Sequence, residues 1–158
     1  MIGRNLAPVY DPGDAGYKWG ETMTEAARIG DGAAEAHASF SVGGGPAVAA
    51  DARAAIEPLR PRLGDELAGD VSLLVSELVT NSYRHSGAGD KGIGVDVTVD
   101  RECVRGEVVD HGSGFRAEPV PKGGRGIGGW GLVILDRLAD RWGVRGGPPT
   151  RVWFEVSR

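Results

Sequence analysis

The spacing of apolar residues along the chain predicts two consecutive helices. The clearer one begins near Asp65 or Asp70 and ends at His85, and its apolar positions recur at helical spacing: Val71, Leu74, Val75, Leu78 and Val79. The same spacing predicts an earlier helix that carries Ala49, Ala52, Ile56 and Leu59. We expect Pro58 and Pro61 to break or kink this earlier helix near its end, because proline removes a backbone donor and clashes with the preceding turn.

Alternation of apolar and polar residues predicts strands on both sides of these helices. Residues 93–99 alternate throughout, which is typical of a half-buried strand. Residues 100–102 can turn into a partner strand, Val104–Val109. Shorter apolar segments predict a first strand at Ser39–Val42 and a last strand at Arg151–Val156.

The chain divides near residue 37. Residues 1–36 show no sustained periodicity, so we interpret them as an extension that is weakly structured or docks on another surface. Residues 37–158 are predicted to form one domain. Within it, a glycine-rich stretch, Gly112–Gly131, precedes a last helix predicted at Leu132–Trp142 and ended by Gly143. Helices and hairpin-linked strands in this order predict an α+β two-layer sandwich.

Composition and charge narrow the class of function. With 158 residues, of which 41% are hydrophobic, the chain can bury one sizeable core. A formal net charge of −4 argues against binding nucleic acid through its phosphate backbone, which calls for a basic face. The one cysteine, Cys103, cannot form an internal disulfide. The sequence has no membrane-spanning stretch and no signal peptide, so we expect a cytoplasmic protein that does not bind membranes.

A first candidate motif lies in the longer helix. Glu77 and Asn81 are four residues apart and share a helix face at the edge of the apolar stripe. At such an edge a carboxylate can act as a general base, and an amide oxygen can ligate Mg²⁺. A solvated Glu and Asn on any amphipathic helix would give the same pattern.

Two further motifs are rich in glycine. Asp110 follows a strand and is followed by Gly112 and Gly114, so it could accept a hydrogen bond from an exocyclic amine beside a flat ring; an ordinary turn has the same composition. Residues 123–131 run directly into a helix, whose N-terminal amides favour phosphate, although a flexible loop is the alternative. This run lacks the P-loop pattern. Its glycine spacing fits a dinucleotide-binding motif, but no parallel strand precedes it, as that motif would require.

In chain order, the three motifs resemble the nucleotide-binding domain shared by gyrase-type topoisomerases, histidine kinases and mismatch-repair ATPases, the GHKL or Bergerat fold. They resemble one branch in particular, the anti-sigma-factor serine kinases. Residues 73–87 resemble its N-box helix, residues 108–115 its first glycine box and residues 129–144 its second. The resemblance covers residues 39–156 and implies a two-layer α/β sandwich with a mixed, mostly antiparallel sheet covered by helices on one face.

The resemblance also implies a role for each motif residue. Asn81 would coordinate Mg²⁺ and Glu77 would be the general base. Asp110 would accept a hydrogen bond from the adenine amino group of ATP, and Thr150 would place a hydroxyl on the adenine side. Ser82 departs from the family pattern, in which alanine is common at this position.

The remaining implied contacts involve the glycine boxes and the segment between them. Residues 119–128 would form a mobile lid over the phosphates. The implied contacts are Gly112 and Gly114 beside the adenine ring, the cations Lys122 and Arg125 in the lid, and Gly129, Gly131 and Leu132 at the phosphates.

Two functions of different classes fit this site. The first is an ATP- and Mg²⁺-dependent serine/threonine kinase that acts on a small partner protein. The second is a nucleotide-sensing module that sequesters its partner without turnover, and plain ATP hydrolysis would use the same residues. The presence of both Glu77 and Asn81 favours the kinase. The implied partner is a sigma factor or an anti-sigma antagonist, and the protein could form a homodimer.

Overall fold

The computed structural model describes residues 36–43, 45–85, 92–111, 130–145 and 149–158, which form five strands and four helices. The strands are β1 (Ala36–Val42), β2 (Ile93–Val99), β3 (Cys103–Asp110), β4 (Arg141–Arg145) and β5 (Thr150–Ser157). The helices are α1 (Val48–Ile56), α2 (Arg60–Leu63), α3 (Asp65–His85) and α4 (Trp130–Leu138), and a 3₁₀ turn, Glu57–Leu59, joins α1 to α2.

The five strands form one sheet in the order β1-β2-β3-β5-β4. The sequence predicts a mixed, mostly antiparallel sheet, and the described strands pair antiparallel throughout. The predicted hairpin joins β2 to β3. Between β3 and β5 in the sequence come α4 and β4. β4 lies at the edge of the sheet, and β5 lies between it and β3.

The helices cover one face of the sheet. Every second residue of β2 is buried, from Ile93 to Val99, and these residues share a core with the stripe of α3. α1 packs against β1 and α3, while α3 packs against β2, β3 and α4. The strand alternation and the helical stripe therefore meet in one core, and the predicted two-layer α+β sandwich is confirmed.

The two prolines end the first helix as predicted. Pro58 lies at the start of the 3₁₀ turn and Pro61 at the start of α2, where a missing backbone N–H leaves no helical hydrogen bond unmade. The chain therefore continues in short helical pieces that still bury Leu59 and Leu63. Gly64 then adopts a positive φ of 76°, which separates α2 from α3.

The prediction of the last helix is wrong at its C-terminal end. α4 ends at Leu138, and Trp142 and Gly143 belong to the edge strand β4. Trp142 and Val144 lie opposite Phe154 and Val152 of β5, so pairing with β5 takes these residues out of the helix. The alternation in β4 covers only two apolar residues, which is too short a pattern to distinguish a strand from a helix end.

Gly143 does not end a helix. It lies within β4, at a position where a side chain would collide with its neighbour. A Cβ atom at this position would lie 2.8 Å from the indole Nε1 of Trp153, which lies opposite it on β5. The first strand is also longer than predicted, because Ala36 and Ala38 continue the pairing with Val99 and Val97 of β2. The extension assigned to residues 1–36 lies outside the described residues, except for Ala36.

No helix in the described ranges is long and apolar enough to cross a membrane.

We predict that Gly106→Ala destabilises the protein by about 1–3 kcal/mol, because it overpacks the centre of the core. Gly106 lies opposite Phe154, which is fully buried, and an added Cβ atom would collide with that ring. Urea unfolding followed by circular dichroism measures the loss.

Gly69→Ala is the matched control. Gly69 lies in α3, and an added Cβ atom there meets nothing within 4 Å. Because alanine favours the helix over glycine, this variant should gain up to about 1 kcal/mol. Equal effects of the two substitutions would contradict the packing at Gly106.

Candidate functional site

The site is built first on the C-terminal half of α3. Glu77 and Asn81 lie one turn apart on the same side of this helix. Asn81 is only 6% exposed and Glu77 is half-buried, so the pair lies where the core-facing side of the helix meets its open side. His85, one turn further on, is exposed. The edge position predicted for Glu77 and Asn81 matches this burial.

The side-chain amide of Asn81 has a buried donor without a hydrogen-bond partner among the described residues. Its Nδ2 atom is buried and makes no hydrogen bond to any described residue. Buried polar groups almost always have a partner, so an unpaired amide indicates a position that a ligand can fill. The two amide ends of asparagine are distinguished only by their hydrogen bonds, so the same position can present the carbonyl oxygen to a cation.

A second group of polar residues lies where three strands end. Asp110 is the last residue of β3, directly opposite Ile93 at the start of β2 and Thr150 at the start of β5. Asp110 and Thr150 are 2% and 1% exposed. The register places both side chains on the helix-covered face, because they continue the series of Val108 and Val152.

These two groups lie at the same end of the domain. α3 ends at His85 and the chain enters β2 at Ile93, so the last turn of α3 and the start of β2 are joined by a short connection. Ile93 pairs with Asp110, and α3 packs against both β2 and β3. The structure therefore brings Glu77, Asn81, Asp110 and Thr150 to one end of the layer between α3 and the sheet.

The glycine-box residues are described only in part. Gly131 and Leu132 lie in the first turn of α4, where backbone N–H groups have no partner within the helix. α4 packs against α3, the helix that carries Glu77 and Asn81. Outside the described residues lie the implied lid at residues 119–128 and the contacts Gly112, Gly114, Lys122, Arg125 and Gly129.

The buried amide of Asn81 suits a Mg²⁺ ion that is bound together with a nucleotide. In these segments no three His, Cys, Asp or Glu side chains form a group that could hold a metal ion. Mg²⁺ commonly keeps several water ligands and takes others from substrate phosphates, so one buried amide is a suitable protein contribution. Asn81 is the residue that would provide it.

Cys103 takes no part in this site. It begins β3, whereas Asp110 ends that strand. Burial and a hydrogen bond to Asp100, with 3.4 Å between Sγ and Oδ2, raise the pKa of the Cys103 thiol to about 11. Because the thiolate is the nucleophile, this cysteine is unreactive near neutral pH.

Ser82 is a buried polar residue to which the sequence assigns no role. It is 4% exposed and follows Asn81 directly in α3. Its position among the apolar residues of the stripe is visible in the sequence, since it lies four residues after Leu78 and seven after Val75. A polar residue inside an apolar stripe was the signal that could have identified it.

An antiparallel sheet with helices on one face, and buried polar residues at one end between α3 and the sheet, are features of the GHKL class of nucleotide-binding domains. Residues 46–155, more than half of the chain, match the family of histidine kinase-like ATPase domains, and the chain belongs to this family. Membership of this family indicates that the domain binds ATP.

A search of curated proteins found no match. Among solved structures, the chain is similar to the histidine kinase domain of the blue-light-activated histidine kinase from Erythrobacter litoralis EL346, with 19% identity and a TM-score of 0.42. The alignment covers 68% of this chain and 63% of that one, so the chain spans less than two thirds of that kinase domain.

We predict that Asn81→Ala leaves the nucleotide-free protein as stable as the wild type or stabilises it by up to about 1 kcal/mol. The substitution removes a buried amide that has no described partner and introduces the residue that best favours a helix. Thermal unfolding monitored by circular dichroism tests this.

Leu78→Ala provides the contrast. Leu78 is a fully packed neighbour on α3, and its truncation should cost about 2–5 kcal/mol. A loss of similar size for Asn81→Ala would show that the amide is a structural group and that its partner lies within the protein.

Proposed function

We propose that this protein is an ATP- and Mg²⁺-dependent serine/threonine kinase of the anti-sigma-factor type, which phosphorylates or sequesters a small partner protein. Membership of the histidine kinase-like ATPase family supports the use of ATP. One observation carries the proposal: a half-buried carboxylate, Glu77, and a buried amide without a described partner, Asn81, lie on the same face of one helix.

The proposed reaction transfers the γ-phosphoryl group of ATP to a hydroxyl of the partner. Glu77 accepts the hydroxyl proton, so that the hydroxyl oxygen can form its bond to phosphorus while the bond to the ADP oxygen breaks. Asn81 holds Mg²⁺, which neutralises charge on the phosphates when it is bound. Asp110 and Thr150 hold the adenine end, and Gly131 and Leu132 direct backbone N–H groups toward the phosphates.

The proposed partner is a sigma factor or an anti-sigma antagonist, and the proposed location is the cytoplasm. A homodimer is part of the same proposal. Incubation of the protein with γ-labelled ATP and cell lysate, followed by identification of the labelled protein, tests transfer to a partner. A labelled serine or threonine supports the kinase, and label on histidine contradicts the serine/threonine assignment.

We predict that the protein binds ATP at least tenfold more tightly than GTP. A carboxylate that accepts a hydrogen bond from the adenine amino group would face a carbonyl oxygen in guanine, and leaving a buried acceptor unsatisfied costs about 1–3 kcal/mol. Calorimetric titration with each nucleotide measures the ratio, and equal affinities would contradict the role of Asp110.

Asp110→Ala should weaken ATP binding at least tenfold in the same titration. Asp96→Ala is the control, because Asp96 is a carboxylate on the neighbouring strand β2 that lies on the opposite face of the sheet, 2.7 Å from His37. It should bind ATP as the wild type does.

We predict that a substitution of Glu77 impairs phosphotransfer, whereas a substitution of Asn81 impairs both ATP binding and phosphotransfer. Glu77→Gln keeps the size of the side chain and removes the proton acceptor, so ATP should bind within a few fold while phosphotransfer falls by roughly 10²–10⁴. Asn81→Ala should lower the Mg²⁺-dependent affinity for ATP together with turnover. Calorimetry and phosphotransfer to the same partner separate the two effects.

Glu66→Gln is the control for Glu77, because Glu66 is an exposed carboxylate in the first turn of the same helix. Intact phosphotransfer in Glu77→Gln would rule out Glu77 as the base. If the wild type binds ATP and its partner without transfer, the protein is the sequestering module and the kinase proposal is wrong.

A further inference from the structure

The face of the sheet opposite the described helices carries an excess of arginine on β3, β5 and β4. Residues directly opposite each other on neighbouring strands share a face, so the register places four arginines and two glutamates on this side. We call this half of the open face the arginine face, and its formal charge is +2. Its charged residues are Arg105, Arg141, Arg145, Arg151, Glu107 and Glu155.

Ion pairs within the arginine face balance only part of this charge. Glu155 lies 3.2 Å from Arg105 and 3.3 Å from Arg141, so one carboxylate serves two guanidinium groups. Arg151 lies 3.5 Å from Glu107. Arg151 also lies directly opposite Arg145, and like charges at directly opposite positions repel each other. Additional carboxylates over β5 and β4 would therefore stabilise this face.

The arginines lie on a packed layer of side chains. The indole ring of Trp153 lies against Gly143, and the guanidinium of Arg105 lies 5.3 Å from the centre of that ring. Trp153 and Val109 are both buried, although neither belongs to the core that the helices cover. The arginine face is therefore an ordered surface, and a partner that binds it pays little to immobilise its side chains.

The part of the chain that precedes β1 has the opposite charge. Residues 1–35, which lie outside the described residues, contain six acidic and three basic residues, a formal net charge of −3. Since the whole chain carries −4, only −1 remains for residues 36–158. The same segment contains Tyr10, Tyr17 and Trp19, whose rings can stack on guanidinium groups. The acidic excess of the protein is thus concentrated in a segment that suits the arginine face.

The segment also joins the domain within reach of this face. It ends at Ala36, the first residue of β1, which is an edge strand of the sheet. Neighbouring strands lie about 4.8 Å apart, so β4 is roughly 19 Å from β1 across the sheet. About six extended residues span that distance. Because the segment is tethered to the domain, its effective concentration at the face is high, and weak ion pairs suffice to hold it there.

We propose that residues 1–35 dock on the arginine face of their own domain through their carboxylates. The inference assigns a binding surface to the side of the sheet that the described helices leave open. It does not depend on the proposed nucleotide site, because Asp110 and Thr150 lie on the opposite, helix-covered face.

Digestion of the full chain by a glutamate-specific protease tests this docking, because Glu21 and Glu25 lie in the segment. Arg145→Gln combined with Arg151→Gln removes two charges from the arginine face. At low ionic strength we expect cleavage after Glu21 and Glu25, measured by mass spectrometry, to be about two- to tenfold faster in this variant than in the wild type. In about 0.5 M salt the difference should disappear, because salt screens the ion pairs.

Arg53→Gln combined with Arg137→Gln is the matched control. It removes the same charge from two exposed arginines of α1 and α4, on the helix side of the domain. This variant should be cleaved at the wild-type rate in both salt conditions. Thermal unfolding of each variant shows whether the domain keeps its stability.

A second variant leaves the described domain unchanged. Asp11→Asn, Asp14→Asn and Asp31→Asn together neutralise three carboxylates of the segment and keep both cleavage sites. We expect this variant to be cleaved faster than the wild type at low ionic strength by a similar factor. It tests the proposal even if the arginine variant does not fold.

Three results would overturn the inference. Equal cleavage of the wild type and both charge variants would show that the segment does not dock through its carboxylates. Faster cleavage of the aspartate variant beside an unchanged, folded arginine variant would place the segment on another surface. Protection that increases with protein concentration would place it on a second copy of the chain. None of these results bears on ATP binding or phosphotransfer, so the proposed function is tested separately.

Discussion

Packing of the apolar stripe of α3 against the sheet is the interaction on which the site depends. Val71, Val75 and Leu78 are buried in one core with the alternate residues of the strands, so rotation of α3 about its axis would expose apolar surface. The packed orientation places Glu77 and Asn81 at the edge of the covered face. The same packing that stabilises the domain therefore orients the candidate catalytic carboxylate, and rotation of α3 would disturb the core and the site together.

The face of the sheet without helices is stabilised differently. Its charged residues pair across neighbouring strands: Arg105 lies 3.2 Å and Arg141 3.3 Å from Glu155, and the guanidinium of Arg105 lies over the ring of Trp153. Opposite charges on adjacent strands favour one register over a slipped one. β3 and β5 are distant in sequence, and the register of their pairing places Thr150 opposite Asp110.

The parts of the fold that follow a long, regular pattern could be predicted from the sequence. Residues 93–99 alternate over their whole length and α3 repeats its stripe over several turns, so packing agrees with the local pattern. β4 could not be predicted, because Trp142 and Val144 become a strand only through their pairing with β5. The roles proposed for Glu77 and Asn81 rest on their spacing and on the resemblance. Their place at the edge of the apolar stripe was predicted, but how far each side chain is buried depends on contacts with distant strands and required the structure.

The polar side chains of α3 show why burial alone does not identify a functional residue. Ser76 and Asn81 are both buried on this helix. The hydroxyl of Ser76 donates to the carbonyl oxygen of Leu73, whereas Nδ2 of Asn81 has no partner among the described residues. A hydroxyl bonded to its own helix is satisfied wherever the helix forms, so it places no demand on a ligand. An unpaired buried amide lowers stability in the absence of a ligand, and a ligand that bonds it can recover that free energy. By this argument Asn81, and not Ser76, is the candidate for ligand recognition.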